Sequence, residues 1–223
     1  MKQIPLAISA PSQPSFATLV VGPNVEAVQH LATLLPPAAP VYLWGPSGSG
    51  KTHLLAALAA RRQAEGERIE WFDAAAPLPW GLADDASVVL LDQCDALDAE
   101  RQAAAFSLYV DAESRQVQWA AAGRLPPVDL ALRDDLRSRL GWGHVFALQP
   151  LGEGEARAAL RREADHRGIR LGDDVMDYLL TRFERNLKHL MRLLDRLDDF
   201  ALAEHRAITV PLLKKMLDPS EPA

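Results

Sequence analysis

Apolar residues recur along the first two-thirds of the chain in two alternating rhythms. The short runs VYLW (41–44), RIEWF (68–72), SVVLLD (87–92) and VQWAAAG (117–123) are nearly continuous, the pattern of strands buried on both faces. Between them, a segment opening at Lys51 and another near 99–113 repeat their apolar positions at helical spacing. Such alternation predicts a parallel sheet with helices on both sides. Upstream, FATLVVG (16–22) reads as one more short strand. NVEAVQHLATLL (24–35) reads as an amphipathic helix, with Asn24 as N-cap and a stop at Pro36 and Pro37.

After Leu151 the strand rhythm disappears. EGEARAALRREADHRG, DDVMDYLLTRF, RNLKHLMRLLDRLDDFALAEH and TVPLLKKML all carry helical periodicity, broken by glycine or short polar turns. The first residues, MKQIPLAISAPSQPSF, hold three prolines among small polar residues and predict an extended tail. The chain therefore divides, by expectation, into a tail (1–15), an α/β domain (16–150), a small all-helical domain (151–218) and a flexible end (219–223).

Composition narrows the class. At 223 residues, 48% hydrophobic and 24% charged, the chain is long enough to bury a core, which argues against overall disorder. A formal net charge of -6 lacks the basic excess of a dedicated DNA-binding domain, so any DNA contact is expected to be weak or indirect. One cysteine, Cys94, excludes an intramolecular disulfide, and no Cys/His set has zinc spacing. Neither a leader-like segment nor an apolar run of roughly 18 residues is present. Cytoplasmic localisation is the expectation. Cys94, Trp44, Trp71 and Trp119 lie in or beside core segments and read as packing.

The candidate chemistry centres on GPSGSGKT: Gly45, Pro46, Ser47, Gly48, Ser49, Gly50, Lys51 and Thr52. It fits G-x-x-x-x-G-K-[ST], follows a predicted strand and opens a predicted helix. Backbone N–H groups released by the glycines, together with a helix N-terminus, suit phosphate oxygens. Lys51 would reach the β- and γ-phosphates of ATP or ADP, and Thr52 would help hold Mg²⁺. Asp92, at the end of SVVLLD, can hold the same ion through water, or can be an N-cap or turn aspartate. The next residue, Gln93, can orient a water but not take its proton, because an amide is not basic near neutral pH. Asp95 is left open between a partial substitute for that base and a solvated turn residue.

With LRDDLRSRLGWGHVFALQPL (132–151) added to the phosphate loop, the chain resembles the DnaA-related family of AAA+ ATPases. The resemblance extends from about Phe16 to Leu217. It implies a P-loop AAA+ domain with a helical lid. It stops short of the duplex-DNA-binding domain with which DnaA proteins end, and so implies a regulator of initiation rather than an initiator. By the same resemblance, Arg139 in SRLGWG is the arginine finger that reaches a neighbouring subunit's nucleotide. Arg185 in ERNLKHL is the lid arginine directed at the nucleotide's phosphates. Gln3, Leu6 and Ile8 in QIPLAI match a peptide by which regulatory members dock on the DNA sliding clamp, which would associate the chain with the nucleoid.

Two positions depart from the family pattern: Gln93, and Arg124 where the initiator group has an aspartate. Both changes remove groups expected to position or activate water, so weak or absent intrinsic hydrolysis is expected. The leading expectation is a nucleotide-binding regulator that stimulates hydrolysis of DnaA-bound ATP with the clamp; a homo-oligomer is left open. The alternative is a stand-alone ATPase of the initiator and helicase-loader group. A small-molecule P-loop kinase explains only the phosphate loop.

Overall fold

The computed structural model describes residues 14–183 and 187–217. Its contacts divide the chain into two units, one running to Pro150 and the other starting at Leu151. The first unit is built on a five-stranded sheet of β1 (Val41–Trp44), β2 (Arg68–Phe72), β3 (Ala86–Leu91), β4 (Gln118–Gly123) and β5 (His144–Ala147). Every pairing is parallel, in the order β2-β3-β4-β1-β5. A parallel sheet needs both faces covered, and the residues supply two faces. Val88 and Leu90 of β3 point to one apolar core with α1 (Val25–Thr33) and α2 (Lys51–Ala64). Val89 and Leu91 point to the other, with α3 (Ala99–Ser114) and α4 (Asp134–Leu140). All four are fully buried, so truncating one, as in Leu90→Ala, costs about 2–5 kcal/mol.

Three readings of the sequence need correction. Phe16–Gly22 forms no strand. Ser15 and Thr18 exchange side-chain and backbone hydrogen bonds in a turn, while Phe16, Leu19 and Val21 pack onto the α1/α2 core. The apolar positions are there to cover helices, and strand-like spacing is incidental. Asn24 precedes α1 but its side chain caps nothing there. It donates from Nδ2 to the Gln149 carbonyl (2.9 Å) and accepts the Gln149 N–H at Oδ1 (2.8 Å), tying the start of α1 to the segment after β5. The helix itself stops at Thr33, ahead of the two prolines. Strand β5 falls inside a stretch from which no strand is predicted.

The second unit consists of α5 (Glu153–His166), α6 (Asp173–Arg182), α7 (Leu187–Glu204) and α8 (Val210–Leu217) around one apolar core. Leu160, Met176, Leu179, Leu194 and Leu213 are fully buried in it. The arginines of 157–170, whose role the sequence leaves open, include three that hold this unit together. Arg157 pairs with Asp177 and Arg161 with Asp173, joining α5 to α6. Arg167 pairs with Glu163 and with Asp195 of α7. Among the described residues, no helix is long and apolar enough to cross a membrane.

Candidate functional site

The loop from Gly45 to Gly50 joins the end of β1, an inner strand between β4 and β5, to the start of α2. Its first glycine is demanded by a close approach: a Cβ on Gly45 would collide with the Leu148 carbonyl, whose own N–H donates to Trp44 at 2.6 Å. Gly50 is demanded by backbone conformation, with φ of 96° and open space around its Cα. A glycine N-cap brings no side chain to the first N–H groups of α2, so they stay available to an anion at the positive end of the helix. Lys51 lies over the loop, donating from Nζ to the carbonyls of Gly45 (2.6 Å) and Pro46 (2.8 Å). Burial pulls its ammonium below the ordinary lysine range, while Asp92 and Asp95 push the other way.

Strand β3, on the far side of β4, leads into the carboxylates. Asp92 follows β3 and is 2% exposed. Its Oδ2 accepts the Thr52 hydroxyl at 2.7 Å and its Oδ1 accepts the Gln93 N–H at 2.9 Å. Thr52 and Asp92 therefore stand together across 40 positions of sequence, because β1 and β3 both flank β4. Gln93 takes a left-handed backbone (φ 53°) that turns the chain into a 3₁₀ turn, Cys94–Ala96. Cys94 is fully buried against the Tyr42 hydroxyl, and burial pushes its thiol up to about 12, which leaves it inert. Asp95 is not a solvated turn residue. Its carboxylate is 11% exposed and bound by Arg124, which follows β4.

Arg139 occupies a different corner. It lies in the last turn of α4, shortly before β5 begins, and its Nη1 pairs with Glu113 in the last turn of α3 at 3.3 Å. The guanidinium lies over two rings, 5.5 Å from the Tyr109 centroid and 5.1 Å from that of Trp142. Trp142 is itself 60% exposed. Two concavities flank this corner. One of about 670 Å³ is lined by Phe106, Asp135, Ser138, Arg139 and Trp142. The other, of about 370 Å³, is lined by Pro37, Pro40, Tyr109, Glu113, Trp119 and Trp142. Since all strands are parallel, Arg139 is at the edge where β4 and β5 start and Lys51 at the edge where β1 ends.

Residues 153–217 match the family model described as Hda, lid domain. Domain III of the Thermotoga maritima replication initiation protein DnaA shares the fold at a TM-score of 0.77 and 19% identity, over 93% of this chain and 98% of that one. AMPPCP-bound DnaA from Aquifex aeolicus follows at 0.67 and 20%, over 84% of this chain and 66% of that one. The chain therefore has the fold of DnaA domain III, and its last helices, residues 153–217, match an Hda lid domain. The same fold extends to the Thermotoga maritima RuvB Holliday junction branch migration motor, at 0.61 and 21%, over 86% of this chain and 64% of that one.

The cradle fits a nucleotide's phosphates: glycine backbone, a helix N-terminus without a side-chain cap, and one lysine. It also fits a hard divalent cation only if that ion brings its own oxygens. Thr52 and Asp92 offer a hydroxyl and a carboxylate, and no cluster of three or more acidic, His or Cys side chains exists among the described residues. Phosphates and water would complete the shell. Arg185, Gln3, Leu6 and Ile8 lie outside the described residues. The sequence reading overlooked Glu113, Tyr109 and Trp142 around Arg139, and Tyr42 against Cys94. Helical spacing marks Tyr109 and Glu113 as neighbours on α3, but nothing local points them at Arg139.

Proposed function

We propose that the chain is a nucleotide-binding regulator of replication initiation. It binds ADP or ATP with Mg²⁺ at Gly45–Thr52 and Asp92, docks on the DNA-loaded sliding clamp through Gln3, Leu6 and Ile8, and stimulates hydrolysis of ATP held by DnaA. DnaA is then left in its ADP form and initiation is restrained. In this reading Arg185 of the lid senses the chain's own nucleotide and Arg139 acts on the partner's.

One observation carries the reading. Arg139 lies at the sheet edge opposite the phosphate loop, and β1, which separates those edges, spans four residues, roughly 13 Å at 3.3 Å per residue. A guanidinium so placed faces away from the nucleotide of its own subunit and is free to serve a neighbour. Its planar fork and permanent charge suit the charge that develops on a transferring phosphoryl group. The test is hydrolysis of DnaA-bound ATP with clamp loaded on DNA, with and without the chain. Stimulation by the full chain, lost on deleting residues 1–10, is expected. No stimulation by the full chain overturns the reading.

A further inference from the structure

Arg124 and Asp95 are joined in a way that neither position suggests alone. Asp95 Oδ1 accepts the backbone N–H of Arg124 at 2.9 Å, and its Oδ2 accepts the Arg124 Nε at 2.5 Å. The acid is nearly buried, at 11% exposed, while the Arg124 side chain is 69% exposed. The two halves of the pair therefore differ in freedom. The carboxylate is fixed against the end of β4, where a Cβ on Gly123 would stand 3.3 Å from Oδ1. The guanidinium covers Oδ2 from the solvent side.

This pair belongs to the phosphate end of the sheet, because Gly123, just before Arg124, lies in register with Trp44, just before Gly45. The carboxylates that bear on the Lys51 ammonium are Asp92 and Asp95, and Arg124 bears on it as well. Both oxygens of Asp92 already accept hydrogen bonds, from Thr52 and from the Gln93 N–H. Gln93 has no basic atom. Among the described residues, Asp95 is the other carboxylate that bears on Lys51, and its outward oxygen is stopped by Arg124.

We propose that Asp95 is a general base masked by Arg124. Resting on the nucleotide binding argued above, the step it withholds is hydrolysis of the chain's own nucleoside triphosphate. With Oδ2 free, Asp95 takes a proton from water as the water oxygen bonds to the γ-phosphorus. The bond from that phosphorus to the β–γ bridging oxygen breaks, and its electron pair leaves with the diphosphate. With Arg124 in place, the guanidinium occupies the oxygen that would accept the proton. The chain keeps its nucleotide because the base is covered, in addition to lacking one at Gln93.

Arg124→Gln removes the mask and retains the backbone N–H that anchors Oδ1. Steady-state ATP turnover by the full chain and ATP affinity by equilibrium dialysis are measured for wild type, R124Q, D95N and the double variant. General base catalysis contributes roughly 10²–10⁴ in rate, so R124Q is expected to turn over at least about tenfold faster than wild type. The double variant is expected to return to the wild-type rate, with ATP affinity within about threefold throughout. An unchanged rate in R124Q, a rise that persists in the double variant, or a fall in R124Q's ATP affinity overturns the mask. Binding of ADP but not ATP by the wild type overturns the mask alone, and failure to bind either nucleotide overturns the nucleotide reading and the mask with it.

Discussion

The phosphate-loop corner and the Arg139 corner sit at opposite edges of one sheet and are held in opposite ways. At the first, the groups are fixed by burial: Asp92 is 2% exposed, Ser49 is 6% exposed, and Lys51 is gripped by two carbonyls. At the second, Arg139 is held by a rim ion pair and two ring faces, with Trp142 standing well into solvent. A fixed cradle suits a ligand that stays. Weak, exposed contacts suit a cation that must leave its neighbours to reach another molecule. Burial makes the first corner costly to alter, whereas exchange of partners costs the second little.

The sharpest way to break this contrast is to remove each corner's cation in turn. Arg139→Ala should lower stimulated hydrolysis of the partner's ATP by about 10³-fold, the lower range for a trans-acting arginine, while leaving the chain's own nucleotide affinity unchanged. Turnover with DnaA and loaded clamp, beside equilibrium dialysis of the variant alone, reads both. Lys51→Ala should do the reverse, weakening nucleotide binding by roughly 10- to 100-fold, the equivalent of about 1.5–3 kcal/mol for a charge-assisted contact. A variant at either corner that changed both readouts equally would show that the corners are not independent.

The same contrast explains what could be read in the chain. The glycines, Lys51 and Thr52 are contiguous, so the turn between β1 and α2 is visible as spacing. β1, β3 and β4 are visible too, because strands buried on both faces leave continuous apolar runs, and β2 keeps Ile69, Trp71 and Phe72 despite lying at the edge of the sheet. β5 is short, and three of its four residues are exposed, so it leaves no such trace. Phe16, Leu19 and Val21 mislead for the converse reason: a turn segment that covers helices is as apolar as a strand. The pairings that give the site its character join distant positions: Thr52 to Asp92, Asp95 to Arg124, Arg139 to Glu113. They depend on strand order, which no local pattern states. Asp95 in particular lies in a turn like any surface residue, and only the end of β4 makes it nearly buried and paired.

A finer test stays within the second corner. Trp142→Ala removes one ring from under the guanidinium at an exposed site, a contact worth about 0.5–1 kcal/mol. Stimulation should fall about two- to fivefold, with no change in thermal midpoint beyond a degree or two, because Trp142 is mostly outside the core. A large loss of stability would mean that the ring is structural and that the corner is as rigid as the cradle.

Glu113→Gln is the smallest change and asks what the ion pair is for. Its atoms are 3.3 Å apart, with side chains 32% and 41% exposed, so the pair contributes about 0–1 kcal/mol to folding. Arg139 has to release Glu113 before a phosphate can take its place. The amide keeps the shape and an acceptor oxygen but drops the charge, so release becomes easier by no more than the pair was worth. Stimulated hydrolysis should therefore rise, by up to about fivefold, with stability unchanged within 1 kcal/mol. The gain should shrink at high salt, which already screens the pair in the wild type. If activity falls instead, Glu113 aims the arginine rather than restraining it, and the corner shares with the phosphate loop the reliance on fixed geometry that otherwise separates them.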